Sequence, residues 1–160
     1  MTAVAAAHSV ISDGSVSSLG ANVAASGTIE LDKNGTKTSI NVGTGTLSEV
    51  VSAINSSNAG VTASAVQTSP GTYRLQISST TTGSASSFTV AGLSGFSGAS
   101  GAMVPLTTGT DAKIRVGDPA TGYDITSSTN TFTDVARACR SPSARSSRAS
   151  RSRAPSTPPR

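Results

Sequence analysis

Between Gly27 and Val90 apolar residues alternate in short runs separated by turns, and a single stretch follows a different period. That stretch opens with Thr46-Leu47-Ser48-Glu49, a helix-start pattern in which the Thr46 hydroxyl accepts the Glu49 amide and the Glu49 carboxylate reaches back. Leu47, Val50, Val51 and Ile54 follow at i, i+3, i+4 and i+7, which predicts a helix of about three turns with one apolar stripe. Asn58 and Gly60 close it, because both tolerate a left-handed backbone. On the N-terminal side, Thr28 to Leu31 alternates, Asn34-Gly35 supplies a two-residue hairpin turn, and Ile40 and Val42 share a face. On the C-terminal side Val61, Ala63 and Ala65 alternate, Ser69-Pro70-Gly71 turns the chain, and Tyr73, Leu75 and Ile77 alternate again. Phe88 to Val90 is one more short strand. The pattern predicts a β-β-α-β-β unit with the helix laid on one sheet face.

The flanks carry weaker signals. Residues 1–26 are rich in Ala, Ser and Val; Val4, Ala7, His8 and Ile11 fall on one helical face, so Thr2 to Ile11 reads as the last turns of a helix that Gly14 and Gly20 end. Residues 91–110 read as a Gly/Ser/Ala loop containing Leu93, Phe96, Met103 and Leu106. Ala112, Ile114 and Val116 form a strand, Asp118 to Gly122 a turn, and Tyr123 and Ile125 the return. Phe132 and Val135 begin a third strand that does not develop. Residues 137–160 hold seven arginines and no acid, with too little apolar surface to offset chain entropy, and are expected to be disordered. The fold class is therefore α+β, mainly β: a small β-β-α-β-β unit, a second small antiparallel element at 101–136, and a disordered tail. Phe, Tyr and Trp supply only 3% of residues, so the core must be thin and built from Val, Ile and Leu.

Charge divides the chain in the same place. The net +4 comes from the tail alone, since residues 1–136 set five basic side chains against all eight acids. A mildly acidic body argues against nucleic acid as a partner. The tail has no aromatic platform for bases and no apolar face for a membrane. Cys139 is the only cysteine, which excludes a disulfide within the chain. The start lacks a charged n-region with a long apolar h-region, and no apolar run approaches the roughly 20 residues of a membrane helix.

Candidate chemistry is sparse, and the chain reads as a non-enzyme without catalytic, cofactor or metal residues. His8 is the only histidine and has no nucleophile motif nearby. Gly43-Thr44-Gly45 lacks the Lys-Ser/Thr of a phosphate loop and the third glycine of a dinucleotide fingerprint, and suits a strand-to-helix turn. Asp111, Asp118 and Asp124 do not follow calcium-loop spacing and read as turn and strand-edge residues. Asn34-Gly35-Thr36 and Asn55-Ser56-Ser57 match a glycosylation sequon that is common by chance in Ser/Thr-rich sequence.

Residues 27–90 resemble the hook-IN repeat of the flagellar hook-associated family. The residues that carry it are Thr46-Leu47-Ser48, Ala53-Ile54-Asn55, Gly60-Val61-Thr62-Ala63-Ser64, Tyr73-Arg74-Leu75, Ser78-Ser79 and Thr82-Gly83. Ala7 to Val10, Asp111 to Ile114 and Ser128 to Val135 are similar to flanking segments of the family's filament-cap branch, hook-associated protein 2. The resemblance implies Thr46, Leu47, Ile54, Asn55, Val61, Tyr73, Leu75, Gly83 and Asn130 as the family-motif residues. It implies four segments: 1–26 as the remnant of a helical stalk and linker, 27–100 as a hook-IN-like domain, 101–136 as an incomplete second element, and 137–160 as the tail. It further implies a secreted, extracellular structural protein at the flagellum tip, exported without a cleaved signal peptide. Such a protein forms a homo-oligomeric ring, works with flagellin and the hook-filament junction proteins, promotes flagellin polymerisation and prevents flagellin leakage. A flagellin variable-domain fragment and a secreted β-domain acting in adhesion are the alternatives.

The family continues past the position of Val135 with a Pro-Gly turn, an apolar strand and long coiled-coil return helices, whereas this chain turns arginine-rich. Codons for Ala136 to Ser143, read one frame over, permit Pro-Gly-Val-Ser-Leu-Thr-Val, the missing turn and strand. The tail is thus expected to be an out-of-frame translation, and the chain a truncated copy with an impaired ring. Nucleotide sequencing from codon 130 onward is expected to show that turn and strand in a shifted frame, followed by long helices. If all three frames lack it, the tail is genuine.

Overall fold

The computed structural model describes residues 3–97 and 102–132. Its elements in chain order are β1 (Ala7–Ser12), β2 (Thr28–Lys33), β3 (Thr36–Asn41), α1 (Leu47–Ser56), β4 (Val61–Ser69), β5 (Thr72–Thr82), a 3-10 turn (Ser84–Ser86), β6 (Phe88–Ala91), β7 (Met103–Thr107), β8 (Ala112–Val116) and β9 (Tyr123–Ser127). The strands form a four-stranded sheet ordered β4-β5-β1-β7, a three-stranded sheet β3-β2-β6, and the ribbon β8-β9. Every strand pairing within them is antiparallel.

The local chemistry behind the central unit acts as the sequence predicts. Asn34 (φ 54°) and Gly35 (φ 80°) both adopt positive φ, the turn type whose twist matches a two-residue hairpin, and they set the register Lys33↔Thr36 through Ile29↔Ile40. Alternation places Ile29 and Leu31 of β2, and Leu75 and Ile77 of β5, at no more than 1% exposure. Helix α1 buries Leu47, Val50 and Ile54 and packs chiefly on β4, touching β3 as well. These side chains join Val10, Val16, Val23, Val42, Val61, Phe88, Leu93 and Phe96 in one core cluster, so both larger sheets share a single interior.

Three expectations change. The predicted helix over Thr2 to Ile11 is instead strand β1 over its second half: His8, Val10 and Ser12 are buried in alternation, while Val4 on the supposed helical face is 58% exposed. Consecutive alanines conceal the period there, and the decisive factor is tertiary, because β1 fills the gap between β5 and β7. The stretch 91–110 is not all loop, since β7 lies within it; Pro105 and flanking glycines mask the strand in the sequence. The two hairpins of the β-β-α-β-β unit belong to different sheets, with β6 closing onto β2 and β1 onto β5. The expected β8-β9 ribbon forms, pairing Ile114↔Ile125 and Val116↔Tyr123. Phe132 lies in irregular structure, whereas Val135 and the tail at 137–160 lie outside the described residues.

Replacing Ile54 by Ala deletes a side chain from the shared interior and is expected to cost about 2–5 kcal/mol. Val51→Ala, at the half-buried margin of the same stripe, is expected to cost less than half as much. Urea denaturation of the two variants checks the difference.

Candidate functional site

The family-motif residues are spread over the fold: Thr46, Leu47, Ile54 and Asn55 lie at the two ends of α1, Val61 opens β4, Tyr73 and Leu75 lie in the first half of β5, Gly83 follows β5, and Asn130 follows β9. At the helix start, Thr46 Oγ1 accepts the Glu49 amide at 3.3 Å and Glu49 Oε2 accepts the Thr46 amide at 3.3 Å, closing the reciprocal cap. The Thr44 hydroxyl also donates to Glu49 Oε2. Those donors, the Thr44 hydroxyl foremost and then the Thr46 amide, hold the Glu49 carboxyl below the ordinary glutamate range. Gly43 and Gly45 take positive φ in the preceding turn, and a Cβ on Gly45 would meet the Ala24 carbonyl oxygen at 2.1 Å. Gly45 serves this close approach of two backbones, as Val23 and Ala24 both donate to its carbonyl.

At the far end of α1, Asn55 uses both halves of its amide on one residue. Its Oδ1 accepts the Ala63 N–H at 2.8 Å and its Nδ2 donates to the Ala63 carbonyl at 3.0 Å. Ala63 lies on β4, an outer strand of the four-stranded sheet, so Asn55 occupies the position a further strand would take. Asn130 repeats the device across 125 residues, with Oδ1 accepting the Ala5 N–H at 2.7 Å and Nδ2 donating to the Ala5 carbonyl at 3.2 Å. Leu47, Ile54, Val61 and Leu75 are core side chains. Tyr73 exchanges two 2.8 Å backbone bonds with Val16. Gly83 (φ 100°) has no room for a Cβ, which would stand 2.8 Å from Ser128 Cβ and 2.9 Å from Asp111 Oδ1. The motif residues thus act in packing, capping and backbone closure.

The acids act in turns and pairs. Asp111 accepts the Ser84 amide at 2.7 Å and its hydroxyl at 2.9 Å; Asp118 Oδ1 accepts the Ala120 amide at 2.8 Å. Asp124 pairs with Lys113 at 2.8 Å and Arg115 at 3.5 Å, and the Lys113 hydrogen bond lowers its carboxyl below the usual range. Among the described residues no three His, Cys, Asp or Glu gather as metal ligands, and no helix is long and apolar enough to cross a membrane.

His8 stands not at a helix end but on β1, buried, its ring edge-on to Phe88 with centroids 5.1 Å apart. Its amide donates to Ser86 Oγ at 3.0 Å, and Nδ1 has no partner among the described residues. With Val10, Phe88, Thr89, Val90, Met103 and Pro105 it lines a cleft of about 220 Å³ between the two larger sheets. No nucleophile and base meet there, so the cleft offers apolar surface without acid–base machinery. Sequence reasoning missed Ser12, whose buried hydroxyl accepts the Leu75 amide at 3.1 Å, and the Asp111–Ser84 pair. Both join residues far apart in the chain, and no local pattern announces them.

The arrangement is similar to that of known flagellar proteins. Residues 21–81 match the family model of the flagellin hook IN motif, which spans α1 and both flanking hairpins. The fold is FliD-like: it matches the flagellar cap protein FliD D2-D3 domains from Escherichia coli with a TM-score of 0.70 at 24% identity, over 84% of this chain and 73% of that one. The D2-D3 domains of the flagellar cap protein from Serratia marcescens match with a TM-score of 0.67 at 28% identity, over 83% and 77%. FliD from Bdellovibrio bacteriovorus matches at 0.60 and 21% identity, over 82% and 75%. No curated protein sequence matches the chain.

Two outcomes are expected. Asn55→Ala removes two bonds and is expected to destabilise by about 1–2 kcal/mol and to speed exchange of the Ala63 amide in hydrogen-exchange measurements. Because the Glu49 carboxyl is lowered in the fold, its contribution is present near neutrality and is lost as pH falls through that lowered value. Between pH 7 and pH 3 the melting temperature of Glu49→Gln is therefore expected to fall less than that of the parent chain.

Proposed function

We propose that this chain supplies the plate domains of a flagellar filament cap, a structural protein at the distal tip of the filament that promotes flagellin polymerisation and prevents flagellin leakage. The observation that carries this reading is the joint match: the hook IN motif at residues 21–81, set within a fold that follows cap-protein D2-D3 domains over more than four-fifths of the chain. Neither the motif alone nor a generic pair of sheets distinguishes a cap from a filament subunit; the likeness to the cap domains covers more than four-fifths of the chain and so extends well beyond the motif. On this reading the partners are further copies of itself, flagellin and the hook-filament junction proteins. The location is extracellular, reached through flagellar export without a cleaved signal peptide, and the work is scaffolding and not catalysis.

Immunogold labelling of filaments from cells producing the tagged protein tests the proposal. Gold confined to filament tips is the expected result. Gold along the filament length would assign the chain to flagellin-type subunits, and label on the cell body alone would favour an adhesive domain.

A further inference from the structure

The four-stranded sheet ends in two outer strands, and they are closed in different ways. On β4 the Asn55 amide takes up the Ala63 backbone. On β7 nothing comparable exists among the described residues: Met103 to Thr107 carries no charge, and Val104 and Leu106 are 42% and 54% exposed. An uncharged, apolar outer strand is a template for another chain. By contrast β3 carries Lys37 in an exposed pair with Glu30, and β6 is only four residues long.

The geometry points to Pro105 as the guard of this edge, preventing β7 from pairing with β7 of a second copy. The Asp13 amide donates to the Ala102 carbonyl at 2.9 Å, and the register continues Ser12↔Met103, Ile11↔Val104, Val10↔Pro105. Bonded and non-bonded pairs alternate in an antiparallel ladder, so Val104 exchanges its bonds with β1 while Pro105 turns its nitrogen and carbonyl outward. The central donor of the open edge is therefore the one that proline lacks, with the ring carbon standing where the hydrogen would be. The register also slips by one residue between Pro105 and Thr107, leaving Leu106 unpaired and bending the edge. In a two-fold pairing centred on residue 105 the defect counts twice, since each copy lacks the donor its partner's carbonyl needs.

Pro105→Val and the smaller Pro105→Ala restore the donor. Light scattering coupled to gel filtration, on the full chain over a range of concentrations, reads the mass. Concentration-dependent hydrogen exchange reads where association occurs. Both variants are expected to self-associate about tenfold or more strongly than the parent chain, with new amide protection at 103–107. Adding Val104→Lys to either is expected to return it to the parent's behaviour. Parent-like mass in both variants with an unchanged circular dichroism spectrum would overturn the inference. Association protected elsewhere would also overturn it, as would loss of the native spectrum in both variants, which would make Pro105 a requirement of folding and not an edge guard.

Discussion

The structure depends on the seating of one ten-residue helix. Leu47, Val50 and Ile54 reach the interior shared by both larger sheets and are among its fully buried side chains. So short a helix is marginal in water by itself, and its order comes from its contacts and its ends. The Thr46–Glu49 cap fixes where it starts, and the Asn55 bonds to Ala63 fix how its last turn meets β4. A chain with few aromatic residues thus gains by geometry what it lacks in bulk.

The features that sequence made legible are those in which a few neighbouring residues decide their own conformation. The Asn34-Gly35 turn, the helix cap, the Asn58 and Gly60 exit and the Ile114↔Ile125 ribbon all arise within spans short enough for local sterics to choose. What could not be read was which strands lie together beyond the hairpins. β1 is a strand because β5 and β7 flank it, and its alanine-rich sequence expresses no period of its own. β7 was concealed by its proline, a residue that demotes a strand in sequence and is tolerated at a sheet edge. Thr46, Leu47, Ile54, Val61, Tyr73 and Leu75 were legible as cap, stripe and strand positions, whereas the roles of Asn55, Gly83 and Asn130 were not. That Asn55 and Asn130 each embrace a backbone unit with both halves of an amide is a fact of tertiary placement, although asparagine is among the few side chains able to do it.

Recurring hydrogen-bond economy distinguishes this fold from one held by bulk alone. Serine, threonine and asparagine are usually surface residues here, yet Ser12 and Ser86 are buried because each closes a specific backbone gap, at Leu75 and at His8. Such bonds contribute about 1 kcal/mol each, and leaving their partners bare costs more. The arrangement explains how a Ser/Thr/Gly-rich sequence still defines one packing.

The pairing of Asn130 with Ala5, together with the Ala3–Lys113 bridge, brings the first and last described segments side by side. These contacts tie together residues more than a hundred positions apart, and they do so through backbone groups and one asparagine side chain. Tension applied between these two segments would be shared by the Asn130 bonds and by the Ala3–Lys113 and Ala6–Thr110 bridges, which join the same short stretch of chain to the region that follows β7.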